Sequence, residues 1–420
     1  MYVKVMSVFG IIRTSKAQNG DEQMIKRIQI KNFKCYGDPG VDFSLKRINF
    51  IFGDNSAGKS TFLQLIRKVL NGEDQEIDEN FKDLVFKGDA SREIKMRITA
   101  MGRKDMREAD VGEKCSKVND DPEIVKLFGE AIHMNEICPI YDYSKTSERK
   151  GVFDYKGWCS ASEFLQSGHW GRVHRNPPEV HDKMCSELKY LWLPRVVHQA
   201  AARPIRMGVG VDKPQSSIAK KEAAFLFSGT VEYVNRFFKA LNVPYTAIDK
   251  GRLRDDVFGV VASTENVGAG IDGLYETALK LYEWRYEWRN YNAEAHKGCV
   301  EDPGCALLAL EEPESHVNER QISPLMDFIF KEAKDVVNGQ VVIECHSELI
   351  ALKLKNFLRA GLIAPDELSV FFVTKTESGT VIEEIPMDAK GNFKKKWPGG
   401  GFFTERTKIV DEFFRAKASK

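Results

Sequence analysis

The chain has 420 residues, of which 42% are hydrophobic, and this length supports a sizeable core. Its 62 basic and 61 acidic side chains leave a formal net charge of +1, so there is neither a global basic field that would favour nucleic acid nor an acidic tail. No stretch approaches the roughly 18 apolar residues of a membrane-spanning helix, and the eight cysteines are scattered, so we expect reduced thiols, no membrane contact and a cytoplasmic location.

The first part of the chain has a strand, loop and helix pattern. Residues 24–36 alternate apolar and charged side chains, as a half-buried strand does. Residues 42–53 are predicted to form a strand that runs into a glycine, and the segment FLQLIRKVLNG that follows shortly after has helical apolar spacing and a glycine stop. Residues 90–103 alternate again and predict a further strand.

The middle of the chain breaks this pattern, and the last third restores it. Residues 104–185 are first highly charged and then rich in glycine, histidine, tryptophan and proline, which predicts an inserted helical or irregular arm. Amphipathic helices are predicted at 222–243 and 270–295, and apolar strands then alternate with helices, which indicates a sheet covered on both faces. The predicted divisions are a leader at 1–23, the first half of a domain at 24–103, an insertion at 104–185, the second half at 186–415 and a tail at 416–420.

The loop after the second strand reads GDNSAGKST and matches the pattern G-x-x-x-x-G-K-[ST] in full. Its glycines let backbone N–H groups turn inward and hold phosphates at the N-terminus of a helix. Lys59 is predicted to reach the β- and γ-phosphates, Ser60 to hold Mg²⁺, and Thr61 to add a phosphate contact. The predicted ligands are therefore ATP and Mg²⁺, bound by Gly53, Asp54, Asn55, Ser56, Ala57, Gly58, Lys59, Ser60 and Thr61.

A second acidic element follows the strand CALLAL, where the sequence continues EEPESH. Glu311 and Glu312 stand at the carboxyl end of that strand, where ligands bind in α/β sheets. We assign Glu311 to the metal and Glu312 to the polarisation of an attacking water. The alternative is an acidic helix start after Pro313, favoured by the helix dipole, and this alternative accounts well for Glu314.

Two further segments complete the pattern. His346 directly follows the buried strand VVIEC, where it can hydrogen-bond a γ-phosphate. The segment NVGAGID, with Gly268 and Gly270, is a glycine-rich turn that opens a helix, and its N–H groups predict a second anion site. Because no P-loop strand precedes it, this site is predicted to serve another phosphate, including one in another subunit.

Taken in order, these segments resemble the ABC-type ATPase heads of the SMC, RecF and OLD group, and more narrowly the prokaryotic AAA-type ATPases that carry an ABC signature. IQIKNFKCYGD, which contains Asn32, resembles the opening strand and adenine-side loop, and NVGAGID resembles the signature, although it departs from LSGGQ. LLALEEPESHVN resembles the Walker B motif and D-loop, with Val317 and Asn318 in place of the usual Leu-His. ECHSELIALKL resembles the switch-histidine segment, and WPGGGFFTER resembles the C-terminal ending of the family.

The resemblance implies an α/β fold of the P-loop NTPase type, with a mixed or parallel sheet flanked by helices. It implies a dimer or higher oligomer bridged by ATP, in which Gly268 and Gly270 act on the nucleotide of the other subunit. Many relatives are ATPase subunits of anti-phage systems such as Septu, PARIS and retron-associated pairs, so a separate effector, a nuclease, is the expected partner. DNA or a phage protein is the expected class of trigger.

Several alternatives remain open from the sequence. A RecF-like repair ATPase would bind DNA directly, and a scaffold would bind ATP with slow turnover. A zinc site is a weaker alternative, because the spacing lacks the usual regularity of zinc ligands. The residues concerned are Cys159, His169, His174, His181 and Cys185.

Overall fold

The computed structural model describes residues 25–70, 81–100, 137–148, 152–160, 195–199, 217–249, 251–287, 306–336, 339–398 and 401–418. The strands in this part of the chain are β1 (Ile25–Lys31), β2 (Val41–Ser44), β3 (Ile48–Gly53), β4 (Ile94–Ala100), β5 (Ile137–Lys145), β6 (Val152–Ser160), β7 (Arg195–Gln199), β8 (Tyr245–Asp249), β9 (Arg252–Asp255), β10 (Val261–Ser263), β11 (Ala306–Glu311), β12 (Gly339–Glu344), β13 (Leu368–Thr376) and β14 (Gly379–Glu384). The helices are α1 (Lys59–Leu70), α2 (Phe81–Leu84), α3 (Ser217–Ala240), α4 (Ala269–Tyr282), α5 (Glu319–Asp335), α6 (Glu348–Arg359) and α7 (Gly401–Ala418).

A six-stranded sheet in the order β14-β13-β3-β12-β11-β7 forms the centre of the fold. The five strands from β13 to β7 are parallel to one another, and β14, at one edge of the sheet, runs antiparallel to β13. Strand β3 lies between β13 and β12, so the loop that follows Gly53 emerges beside the carboxyl ends of two neighbouring strands. This order places the segments after β3, β11 and β12 at one edge of the sheet, where α/β proteins bind ligands.

Successive side chains of the central strands point to opposite faces of the sheet, so the core consists of two clusters, one on each face. Phe50 and Phe52 of β3 pack with apolar residues of α3, α4, α5 and α6 on one face. Ile51, between them in the sequence, packs with β1, β4 and the apolar side of α1 on the other face. Because both faces are covered, the central strands are continuously buried, as the apolar runs of the sequence predicted.

The second sheet is antiparallel, in the order β2-β1-β4-β5-β6. Strands β5 and β6 lie inside residues 104–185, where the sequence analysis expected a helical or irregular arm. The structure corrects this expectation for residues 137–145 and 152–160, which extend the sheet by pairing β4 with β5 and β5 with β6. Apart from residues 146–148, the rest of that segment lies outside the described residues, including four of the five candidate zinc ligands. The side chain of Cys159 is also not described.

A smaller sheet, β10-β9-β8, precedes α4 and completes the architecture. The predicted strand over 42–53 is interrupted, because residues 45–47 separate β2 from β3 and send them into different sheets. In the last third, apolar strands alternate with helices, as the sequence predicted. The fold is therefore the predicted α/β arrangement, with parallel and antiparallel sheets flanked by helices. Among the described residues, no helix is both long and apolar enough to cross a membrane.

Candidate active site

A cavity of about 920 Å³ opens at the carboxyl edge of the central sheet. The loop between β3 and α1 forms one wall, and the segments that follow β11 and β12 form the opposite wall. Its lining residues are Lys34, Cys35, Asn55, Ser56, Gly58, Lys59, Ser60, Thr61, Glu312, Glu314, Ser315, Ile322, Glu344, His346 and Ser347. The structure thus brings the glycine loop, the acidic pair region and the histidine segment to a single site.

Packing from two directions fixes the shape of the glycine loop. The buried Tyr36 hydroxyl donates to the Gly58 carbonyl at 2.6 Å, and the Thr380 hydroxyl donates to the Ala57 carbonyl at 2.7 Å. Gly58 has φ +111°, and a Cβ added there would lie 2.4 Å from the Cys35 sulfur. Glycine is required at this position for two reasons: residues with a side chain rarely adopt this backbone conformation, and the Cys35 sulfur leaves no space for a Cβ.

Lys59 and Ser60 are the first residues of α1, at the floor of the cavity. The Lys59 ammonium donates to the carbonyls of Gly53 at 3.1 Å and Asp54 at 2.8 Å. Burial lowers the pKa of Lys59, and the carboxylates of Glu344 and Glu312 oppose that effect. The Ser60 hydroxyl donates to Glu344 Oε1 at 2.9 Å, so a hydroxyl and a carboxylate oxygen lie side by side. Such oxygen donors suit Mg²⁺, so the residues present fit the predicted metal.

Glu312 and His346 face each other across the open side of the cavity. His346 Nε2 lies 2.9 Å from Glu312 Oε1. Burial lowers the pKa of His346 and the neighbouring Lys59 charge lowers it further, while Glu312 raises it. The lowered pKa favours a neutral imidazole near pH 7 that donates its Nε2–H to the carboxylate. Glu312 has φ +44°, a conformation held by the hydrogen bond from its N–H to the Glu344 carbonyl at 2.9 Å.

Glu314 has a different role from the one expected. It does not open a helix, because α5 begins at Glu319 and is capped by the Asn318 side chain, which accepts from the Arg320 N–H at 3.0 Å. Instead, Glu314 Oε1 accepts from the backbone N–H groups of His346 at 2.7 Å and Ser347 at 3.3 Å. The residue as a whole is half-buried, but its Oε2 is fully buried and has no hydrogen-bond partner. Glu314 therefore positions the histidine segment against the acidic turn.

The titration of Glu314 predicts a pH-dependent stability. Burial raises the pKa of Glu314 from 4.5 to about 7, so the protonated carboxyl contributes stability that is full below its unfolded pKa and is lost as the pH rises through about 7. Glu314→Gln cannot titrate, and its free energy of unfolding should fall less than that of the wild type between about pH 5 and pH 8, by roughly 2–3 kcal/mol. Urea unfolding measures this difference. Glu319→Gln is the matched exposed control, and an unchanged pH dependence in Glu314→Gln would contradict the assignment.

Some predicted site residues lie away from the cavity lining. The Asn32 side chain is buried and donates to the Glu93 carbonyl at 3.0 Å, and Glu311 is buried beneath the site. Gly268 and Gly270 lie at the start of α4, where a Cβ on Gly270 would come within 2.3 Å of the His316 carbonyl oxygen. The predicted residues that do line the cavity are Asn55, Ser56, Gly58, Lys59, Ser60, Thr61, Glu312 and His346.

Glu344, the last residue of β12, lines the cavity but was not predicted from the sequence. It is the parallel register partner of Glu311 on β11, and its carboxylate lines the cavity. Burial raises the pKa of Glu344 to about 7, the hydrogen bond from Ser60 lowers it, and the charge of Glu311 adds to the rise. One feature of the sequence could have indicated Glu344: it is an acidic residue at the end of a buried strand, two residues before His346. Lys34 and Cys35, which also line the cavity, lie in the segment IQIKNFKCYGD that resembles the adenine-side loop, although neither was predicted individually.

Comparison with solved structures finds similar chains among SMC heads. The Smc head bound to the C-winged helix domain of ScpA has a TM-score of 0.49 at 14% identity, with 86% of this chain and 97% of that chain covered. The SMC head domain from Thermotoga maritima has a TM-score of 0.40 at 12% identity, with 86% and 99% covered. The Smc head domain with an extended coiled coil, bound to the C-terminal domain of ScpA derived from Pyrococcus furiosus, has a TM-score of 0.49 at 12% identity, with 93% and 99% covered.

A family model described as an AAA domain matches residues 27–156 of the chain, while no curated protein sequence matches it. The matched range contains the complete glycine loop and also strand β5 and most of β6. Residues 104–156, assigned to a variable insertion from the sequence, therefore lie within the matched domain. The match agrees with the predicted resemblance, since a segment that contains the glycine loop is similar to an AAA domain.

Proposed function

We propose that the cavity binds ATP with Mg²⁺ and that the protein hydrolyses it to ADP and phosphate. One observation supports this proposal: a complete glycine loop of the phosphate-binding pattern lines the same cavity as Glu312 and His346. In that pair, His346 Nε2 lies 2.9 Å from Glu312 Oε1. A steady-state and single-turnover ATPase assay tests it, and the absence of both Mg²⁺-dependent nucleotide binding and turnover would overturn it. Binding with very slow turnover would instead favour a scaffold or sensor.

The residues of the chain divide the work of the reaction. The N–H groups of the glycine loop and the Lys59 ammonium bind the phosphates, and Ser60 with a neighbouring carboxylate holds the cation. A Mg²⁺ ion held there would neutralise charge on the phosphate oxygens. Glu312 accepts a proton from the attacking water. The neutral His346 imidazole has one N–H, which is donated to Glu312 in the described geometry and would turn to the terminal phosphate when ATP is bound.

Assembly of two heads around the nucleotide is the second part of the proposal. Gly268 caps the N-terminus of α4 with no atom within 4 Å of a Cβ placed on it, so this end of the helix is open. The same helix N-terminus contacts the D-loop-like turn through the close approach of Gly270 to His316. An open helix N-terminus favours binding of an anion. The resemblance implies that this anion is a phosphate of the ATP bound to the second subunit.

Substitution of Gly268 tests the assembly. Gly268→Asp should keep or slightly raise the thermal stability, because aspartate is a good N-cap and the position is uncrowded. It should nevertheless weaken ATP-dependent dimers by about 100-fold, since a carboxylate would oppose the phosphates of the other subunit. Size-exclusion chromatography with light scattering measures the dimer. Gly268→Ser, a neutral cap, is the matched control, and normal ATP-dependent dimers of Gly268→Asp would count against this arrangement.

We further propose that the head controls a separate effector protein, a nuclease, in anti-phage defence. The resemblance supports this role, and exposed apolar side chains on α7, at Ile409, Val410, Phe413 and Phe414, support contact with another protein. Phage challenge of cells that express the chain with its neighbouring reading frame tests the role, with a Walker A variant as the inactive control. Salt-dependent DNA binding by the isolated chain, with DNA-stimulated ATPase activity, would favour a RecF-like repair ATPase instead.

A further inference from the structure

Glu344 occupies a place that the sequence pattern assigned to Glu311. Both residues end buried strands, and they are register partners on β12 and β11. Strand β12 also pairs with β3, the strand that leads into the glycine loop, whereas β11 is one strand further away. The Glu344 side chain therefore reaches the cavity beside α1, and Glu311 is not among the cavity-lining residues.

The two oxygens of the Glu344 carboxylate differ, because one is hydrogen-bonded and the other is not. Its Oε1 accepts from the Ser60 hydroxyl at 2.9 Å. Its Oε2 is buried, with the whole residue only 2% exposed, and has no hydrogen-bond partner. A buried carboxylate oxygen without a partner is costly, and a bound cation at the cavity floor would satisfy it.

Neighbouring donors make the position suitable for a divalent cation. One ligand atom from each of Glu312, Glu344 and His346 lies within 4.8 Å of the others. The nearest cation, the Lys59 ammonium, is engaged by two backbone carbonyls. Hard divalent cations, including Mg²⁺ and Mn²⁺, take carboxylate and hydroxyl oxygens.

We propose that Glu344 is a direct protein ligand of the divalent cation, beside the Ser60 hydroxyl, and that Glu311 acts only through Glu344 from the buried side. This inference rests on the proposed ATP site, because the cation would serve the nucleotide bound there. Glu312 and His346 lie beside the same cation position.

Manganese binding to the full chain tests the assignment without relying on turnover. The electron paramagnetic resonance signal of free Mn²⁺ gives the affinity, with and without a non-hydrolysable ATP analogue. Glu344→Gln should weaken Mn²⁺ binding at least about tenfold, because the amide oxygen carries no charge. Glutamine retains an acceptor for the Ser60 hydroxyl, so loss of the hydrogen bond to Ser60 would not account for this effect. Glu344→Asp, which keeps the charge, should recover part of the affinity.

Two comparison variants make the outcome decisive. Glu377→Gln lies in the exposed turn between β13 and β14 and should bind Mn²⁺ as the wild type does. Glu311→Gln is the same change on the register partner, and it should weaken Mn²⁺ binding less than Glu344→Gln does. Wild-type affinity in Glu344→Gln, or an equal or larger loss in Glu311→Gln, would overturn the inference.

Nucleotide binding separates failure of this inference from failure of the proposed function. Binding of the ATP analogue in EDTA should be unchanged in Glu344→Gln, and circular dichroism should confirm that the variant is folded. If the wild type binds Mn²⁺ as expected but binds no nucleotide under any condition, the ATP proposal fails and the cation ligand stands. If the wild type binds nucleotide and Mn²⁺ while Glu344→Gln binds both equally well, only the inference fails.

Discussion

Lys59→Ala is expected to weaken ATP binding by at least about 100-fold, which corresponds to roughly 3 kcal/mol. The Lys59 ammonium is the cation at the floor of the cavity, held between the carbonyls of Gly53 and Asp54 where the phosphates would enter. Its removal leaves the loop N–H groups as the main phosphate donors. Isothermal titration calorimetry with Mg²⁺ and a non-hydrolysable ATP analogue measures the effect.

A second lysine on the same helix provides the control for that experiment. Lys68 lies in the last turn of α1, outside the cavity lining, so Lys68→Ala should bind the nucleotide normally. Thermal unfolding of both variants without nucleotide distinguishes loss of binding from loss of fold. Normal nucleotide binding by a folded Lys59→Ala protein would show that the glycine loop is not a phosphate site.

Glu312→Gln is expected to bind ATP, to hydrolyse it about 10²–10⁴-fold more slowly, and to accumulate as an ATP-dependent dimer. The amide keeps the size of the side chain and an oxygen that can accept from His346 Nε2, so the geometry at 2.9 Å should survive. It cannot accept a proton from water, which is the role proposed for the carboxylate. Single-turnover hydrolysis and light scattering in the presence of ATP measure the two effects.

Glu319→Gln is the comparison for this second experiment, because it makes the same change at an exposed residue seven positions along the chain. It should hydrolyse ATP at the wild-type rate and should not accumulate as a dimer. A wild-type rate of hydrolysis in Glu312→Gln would remove this residue from the proton-transfer step. Another acid at the cavity, Glu344 or Glu314, would then have to take its place.

The sequence predicted most of the central sheet and part of the site for a local reason. Parallel strands buried on both faces are continuous apolar runs, and a glycine loop between a strand and a helix has its own backbone requirement, seen at Gly58. Glu312 and His346 were found because each directly follows such a run. Strand β5 was missed because it pairs with β4 across a long separation in sequence, and β6 in turn extends the sheet by pairing with β5.

The roles of three glutamates could not be read from their order. Glu314 follows a proline and resembles a helix-start acid, but the turn at 312–316 points its carboxylate at the N–H groups of His346 and Ser347. Glu311 and Glu344 both end buried strands, and only the strand order places Glu344 nearer to Ser60. In each case, the deciding contact joins segments about 30 residues or more apart, and such contacts leave no local pattern.

The sequence by itself therefore determined the α/β class of the fold, because the glycine loop and the buried strands are encoded by short-range spacing of residue types. Only the tertiary structure decided which acidic side chains share the cavity with Ser60 and Lys59. The physical reason is that the charge state and the contacts of a carboxylate depend on its neighbours and its burial. Both depend here on the order β3-β12-β11 in the sheet. The motif EEPE places Glu312 at the cavity beside His346 and places Glu314 against the N–H group of His346, and β12 adds Glu344 beside Ser60.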